Sequence, residues 1–247
     1  MSKTAKKIIA VLLLLGVWQA AAMLLDQKII LASPAQVLVR LFTIWREPGF
    51  VGTIWFSFAR IAGGFLLAFA LGILLAVLAG KSEWVEILLS PVMITIKTVP
   101  VASFVIIALV WLSSDRLSIF ISFLIVLPVI YNNVLSGIKN IDRKMLQMAD
   151  IYKLPWNKRF RYIWLPAIKP YLLGGTTTAL GMAWKSGVAA EVIGIPEGSI
   201  GEMLYNAKLY LNTADLFAWT VIIVLVSVLF EKLFMWILRK VYDGYCH

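Results

Sequence analysis

At 247 residues, 61% hydrophobic and only 15% charged, with a mean hydropathy of +0.89, the chain lies far outside soluble composition and reads as a membrane protein. Its net charge of +10 does not signal nucleic acid, because the basic residues gather in short segments beside apolar runs, where membrane topology accounts for them. One cysteine, Cys246, excludes an intrachain disulfide, and one histidine, His247, removes the usual zinc and acid–base constellations, so neither metal nor cofactor is expected.

Apolar runs near or above the ~20 residues that cross a bilayer as a helix recur along the chain, and none alternates as a barrel strand would. Backbone groups in lipid must be satisfied within their own segment, so the fold class is all-α. The expectation is a polytopic membrane protein of about six transmembrane helices, one domain over residues 1–247.

Lys6 and Lys7 precede the apolar run Ile8–Leu25, and Ala20, Ala21 and Ala22 near its end have the small-residue character of a secretory cleavage site. A retained first span is preferred, because the rest of the chain is itself multispan; a mature N-terminus near residue 23 would mark the alternative. After Asp26, Ser33, Pro34 and Gln36 spell cap, first-position proline and capping-box partner. Leu38, Leu41, Phe42 and Trp45 then recur at helical spacing, giving a short helix on the outer surface that packs on the spans or meets a partner.

The second span covers residues 51–79, with Gly63, Gly64 and Gly72 available for close helix contact. Gly80, Lys81 and Ser82 imitate the tail of a phosphate-binding loop, but its first glycine would fall at Leu75 and a helix precedes it, so nucleotide binding is rejected. From Trp84 a third span is broken at Pro100 and emerges at Ser113, Ser114, Asp115 and Arg116. The fourth covers residues 117–135, the fifth 168–192 and the sixth 216–238. In the outer connection, residues 193–215, Ser199 and Glu202 form a capping-box pattern, and Ile200, Met203, Leu204, Ala207 and Leu211 make one face of a short helix.

With six spans, one side holds Lys3, Lys6, Lys7, Lys81, Lys139, Arg143, Lys144, Lys153, Lys158, Arg159, Arg161, Arg239 and Lys240; the other holds Lys28, Arg40, Arg46, Arg116 and Lys208. The excess makes the first side cytoplasmic, with both termini there. Trp45, Trp55, Trp84, Trp111, Trp219 and Trp236 fall near span ends, where an aromatic belt belongs. Arg60, Lys97, Lys185 and Glu191 lie within spans, where ionisable groups are costly and face a pore or a partner. Lys185 and Glu191 are six apart and do not pair along the helix. Glu191 is close enough to the outer end to be solvated and Lys185 to snorkel, so structural and translocation-path roles both stand; on the path, Lys185 suits an anion.

The basic cytoplasmic loop, residues 139–166, carries the clearest pattern. Asp142 caps a helix with Met145, Ala149 and Tyr152 on one face, and Leu154 and Pro155 interrupt it. A second short helix places Trp156, Phe160, Ile163 and Trp164 beside Lys158, Arg159 and Arg161, and Pro166 and Pro170 introduce the fifth span. Two short helices at right angles to the spans would make a rigid knob.

Ala149, Ile163, Leu165 and Pro166 at this spacing resemble the cytoplasmic loop of binding-protein-dependent ABC importer permeases, whose pattern is Glu-Ala-Ala, three residues, Gly, nine residues, Ile, any residue, Leu-Pro. The broken third span and the Ala189-Ala190-Glu191 end of the fifth resemble the nitrate, sulfonate and taurine branch. Gln147 stands at the motif's glutamate, keeping hydrogen bonding without charge; Met148 stands at its first alanine; Lys153 stands at its glycine, which moves the break to Leu154 and Pro155. The resemblance implies the type I ABC importer permease fold in a bacterial cytoplasmic membrane. It also implies a second permease copy, two cytoplasmic ATP-binding subunits, an extracytoplasmic solute-binding protein and surrounding lipid.

ATP hydrolysis then belongs to the partner, so the chain is not itself an enzyme. Gln147, Met148, Ala149, Asp150, Tyr152, Lys153, Pro155, Trp156, Phe160, Ile163, Leu165 and Pro166 couple to it, by that resemblance. Arg60, Lys97, Lys185 and Glu191 are the path candidates. The cargo implied first is a nitrate-, sulfonate- or taurine-like anion, and second a vitamin or its precursor. A lipid-modifying membrane enzyme would need clustered carboxylates, histidines or a metal site, whereas the 13 acidic residues are scattered. A secondary transporter would carry its own coupling-ion site and usually more spans or an internal repeat.

Overall fold

The computed structural model describes residues 3–25 and 30–246; Asp26, Lys28 and His247, and the side chains of Lys3, Lys7 and Cys246, lie outside the described residues. Every described element is helical: α1 (Lys3–Leu25), α2 (Pro34–Ile44), α3 (Phe50–Lys81), α4 (Glu83–Thr98), α5 (Val101–Ala108), α6 (Ser114–Lys139), α7 (Arg143–Ile151), α8 (Trp156–Arg159), α9 (Leu165–Gly194), α10 (Ile200–Leu209) and α11 (Thr213–Cys246). A π-helical turn, Phe160–Trp164, joins α8 to α9.

Among the described residues α1, α3, α6 and α11 are long and apolar enough to cross a membrane, and α4 with α5 together have the length and apolarity of a fifth span but bend sharply between them, as a broken span or a re-entrant loop does. Helix α9, 30 residues or about 45 Å, has the length of a crossing. It is less apolar because Lys169, Lys185, Glu191, three threonines at 176–178 and several glycines replace bulky hydrocarbon.

The core forms where α6 packs along both α3 and α9. Small residues permit the approach. A Cβ on Gly64 would run into the Ile119 carbonyl, and one on Gly187 would come within 2.6 Å of Ser122 Oγ and 2.7 Å of Ile61. Gly72 likewise abuts Ile130, whereas Gly63, expected beside it at a contact, meets nothing. Edge-to-face rings bind α11 to α3: Phe65 meets Phe234 at 4.9 Å and Phe230 at 5.9 Å, between centroids.

The break at Pro100 is sharper than a kink. Val99, before the proline, is extended (φ −74°, ψ 132°), as proline demands of its predecessor, and α4 and α5 meet at 101°. The Pro100 carbonyl then accepts from Ser103 and Phe104 to start α5.

Ser33 and Gln36 form the expected reciprocal cap on α2. Its buried face is not the one the spacing picked out: Val37 and Ile44 are buried with Leu41 beside them, while Leu38, Phe42 and Trp45 face outward. Packing against Ala218, Trp219 and Ile222 of α11 selects that stripe, and Arg40 reinforces it by pairing with Asp215 and, at 2.6 Å, Glu47. Trp219, expected in the belt, is buried there against Phe50; Trp45, Trp55, Trp84, Trp111 and Trp236 are exposed.

Candidate functional site

The loop 139–166 folds into a compact knob whose parts are locally determined. Asp142 accepts a hydrogen bond from Lys144 N at 2.8 Å and opens α7. At the other end, Leu154 N donates to Ala149 O (2.9 Å) and Lys153 N to Asp150 O (3.0 Å), the paired bonds of a Schellman cap, with Lys153 left-handed at φ +47°. The expected shift of the break to Leu154 and Pro155 is therefore corrected: the left-handed residue stays at the motif's glycine position, although a lysine occupies it.

What holds Lys153 there is Arg159. Its Nε donates to Leu154 O (2.8 Å), Nη1 to Asp150 Oδ1 (2.6 Å) and Nη2 to Ala149 O (3.1 Å), so one guanidinium closes the carbonyl end of α7 and neutralises its dipole. Helix α8 is not the separate second helix expected from Pro166. Leu165 N reaches back five residues to Phe160 O, and the wider turn gives room to Pro166, which has no N–H and would crowd the Tyr162 carbonyl in an ordinary α-turn. Helix α8 thus runs on into α9, and Pro170 lies inside α9 instead of before it.

Ala149 is 1% exposed and sealed into the knob. Around it Met145, Met148, Ile151, Tyr152, Trp156, Phe160 and Tyr162 stand 46% to 76% exposed. Met145, Met148, Tyr152, Leu154, Tyr162 and Ile163 line a groove of about 460 Å³ over Ala149. Gln147, Asp150, Lys153, Pro155 and Pro166 are also exposed, while Ile163 and Leu165 are half-buried. Such a surface, apolar with a basic margin and built on adaptable methionines, fits a protein partner.

Of the four charges expected within spans, Arg60 and Glu191 lie near enough for the guanidinium to act on the carboxyl. Arg60 lies over the Phe56 ring and donates from Nε to Asp115 O at 2.7 Å. Lys185 is exposed on α9, and Lys97 is exposed in the last turn of α4. Glu191 is fully buried, which corrects the expectation of solvation at the outer end.

The burial of Glu191 is accounted for by α10. Glu191 Oε2 accepts from Ser57 Oγ (2.7 Å) and from Gly201 N (3.3 Å); Ser57 Oγ accepts from Ile200 N (2.9 Å); Ser199 Oγ accepts from Glu202 N (3.0 Å). The first-turn N–H groups of α10 are thereby satisfied by α3, α9 and the cap together, with a carboxylate at the positive end of the helix. A Cβ on Gly201 would collide with Glu191, so the close approach requires glycine. Ser118 of α6, itself fully buried, brings its hydroxyl to the same carboxyl group. Sequence reasoning named Glu191 but missed Ser57 and Gly201; a serine inside an apolar span was their only trace.

Residues 68–243 match the family described as binding-protein-dependent transport system inner membrane component. The chain is 28% identical over 242 residues, 94% of its length and 86% of the relative's, to a protein named as an aliphatic sulfonates transport permease, SsuC of Bacillus subtilis (strain 168). It is also 28% identical to the taurine transport system permease protein TauC of Escherichia coli (strain K12), over 87% of this chain and 80% of that one. The nitrate import permease protein NrtB of Leptolyngbya laminosa is 28% identical as well, over 94% and 86%.

Proposed function

The chain belongs to the binding-protein-dependent transport system inner membrane components, as an ABC importer permease of the nitrate, sulfonate and taurine type, and from that premise we propose that it forms the path for a small anion. It is a multi-pass bacterial membrane protein and not itself an enzyme. In the proposed assembly two copies line the path, a solute-binding protein delivers the anion from outside, and two ATP-binding subunits work from the cytoplasm. Both termini and the knob face the cytoplasm, in keeping with the lysine and arginine excess on that side.

Coupling runs through residues 147–166. The observation that carries this is the continuity of α8 with α9: a partner gripping Met148, Tyr152 and Trp156 would hold the cytoplasmic end of a helix that packs along α6 for much of its length. Closure of the ATP-binding pair then moves α9 as a rigid lever. The relatives' names, which specify sulfonates, taurine and nitrate, support an anion as cargo.

Copurification and uptake with the ATP-binding subunits test the reading. Met148→Glu places a charge in the apolar groove and is expected to weaken retention of those subunits about tenfold or more while leaving the melting temperature unchanged. Full retention and full uptake in that variant would overturn it. Ala149→Asp is the poorer test, because a buried charge there breaks the knob as well as its contact.

A further inference from the structure

Away from the knob and the outer end, α4 and α6 enclose a small polar cavity. Glu86, Ser90, Ile94 and Lys97 share one face of α4, and Tyr131 and Asn132 oppose them from α6 around about 90 Å³. Through Glu86, Ser90 and Ile94 the cavity opens into a cleft of about 660 Å³ at the α3–α4 elbow, beside Lys81, Ser82 and Lys139. From Glu86 to Lys97 the track rises about 16 Å, half the hydrocarbon thickness, and ends one turn before the bend at Pro100.

Two donors that line the cavity, the buried Tyr131 and the exposed Lys97, lack partners among the described residues. Tyr131 is 2% exposed and its hydroxyl has no hydrogen bond among the described residues, which costs about 1–3 kcal/mol unless something enters the cavity. Lys97 makes no ion pair or hydrogen bond among the described residues. The carboxylate in the cavity, Glu86, faces Tyr131 but is engaged at 2.6 Å by Lys139 Nζ, which offsets its charge, and Lys97 adds one positive charge to the lining. Asn132 Nδ2 is turned to Pro128 O.

We propose that this cavity is a transit site for a small anion, held by the Lys97 ammonium and the Tyr131 hydroxyl with Ser90 beside them. The inference rests on the transport reading above and gives it a place in the chain. An ammonium and a hydroxyl lining one cavity can make charge-assisted bonds to one oxyanion or halide, while the apolar neighbours Met93, Ile94 and Leu135 keep binding weak enough for release.

The test uses the permease with its ATP-binding subunits, crystallised in bromide. An anomalous peak is expected about 3.5 Å or less from Lys97 Nζ and Tyr131 Oη, and its loss in Lys97→Met. Uptake of whichever of nitrate, methanesulfonate or taurine the parent carries falls about tenfold or more in Lys97→Met and returns in Lys97→Arg. Tyr131→Phe raises the KM for uptake about threefold to tenfold. No bromide peak, a lipid phosphate in its place, or Lys97→Met uptake within about twofold of the parent overturns the site. A parent complex that carries none of the three solutes overturns the anion reading instead, and the bromide peak then still decides the cavity by itself.

Discussion

Helix α9 ends in two opposite solutions to the same problem of fixing a short helix to a long one. At the end where it begins, α7 is held by surface bonds, chiefly the fork of Arg159, and leaves aromatic and methionine side chains exposed. At its other end the start of α10 is held by a fully buried carboxylate and a hydroxyl, and only its last turn is open, with Leu209 exposed and Tyr210 and Leu211 just beyond it. The difference teaches where stability resides: buried polar groups fix α10 to the core, whereas the knob is self-supporting, which on the proposed function leaves it free to serve a partner.

Glu191→Ala should break that contrast most. Ser57 and Gly201 N would be left buried without their acceptor, a loss of about 3 kcal/mol or more, read as a fall of about 10 °C in the melting temperature of the purified protein. Glu191→Gln keeps an acceptor for both and turns its amide toward the Ser118 hydroxyl, which can accept, so it should stay within about 1 kcal/mol of the parent. Uptake surviving in Glu191→Gln assigns the residue to structure; uptake lost at unchanged melting temperature assigns it to the path.

Arg159→Ala tests the other end and should act more gently on the fold. Three bonds to the end of α7 disappear, about 2 kcal/mol of local stability, and amide exchange at Lys153 and Leu154 should quicken without a shift in global melting. Uptake should fall steeply while the helices of the core stay intact. Arg159→Lys, lacking the fork, should recover little of it. A global melting shift as large as that of Glu191→Ala would show that the knob is part of the core after all.

Elements marked by neighbouring residues were legible in the sequence. The caps at Ser33, Asp142 and Ser199 and the break at Pro100 each depend on a side chain within a few positions, and all appear where expected. The outer knot was not legible, because Ser57 and Glu191 are 134 residues apart and only packing of α3 on α9 makes a pair of them. The buried stripe of α2 was misread for the same reason: in a membrane protein the outward face is as apolar as the inward one, so periodicity marks a helix without saying which way it faces. The π-turn before α9 escaped notice because proline was taken as a stop, and here a wider turn absorbs it.

Lys153→Gly carries the smallest expected effect and separates local preference from imposed structure. A β-carbon in the left-handed region costs about 1 kcal/mol, which glycine avoids, although glycine also gains freedom in the unfolded chain. Because the two cap bonds are made by backbone atoms, they survive the change. The net should be about 0.5 kcal/mol of added stability in the knob, visible as slower exchange at Leu154 N, with uptake unchanged. In Arg159→Ala the same substitution should help more, since glycine would supply the turn that the guanidinium now enforces. Equal effects in both backgrounds would mean that Arg159 does not hold Lys153 in place, and that the lysine takes its left-handed turn from the α7 cap alone.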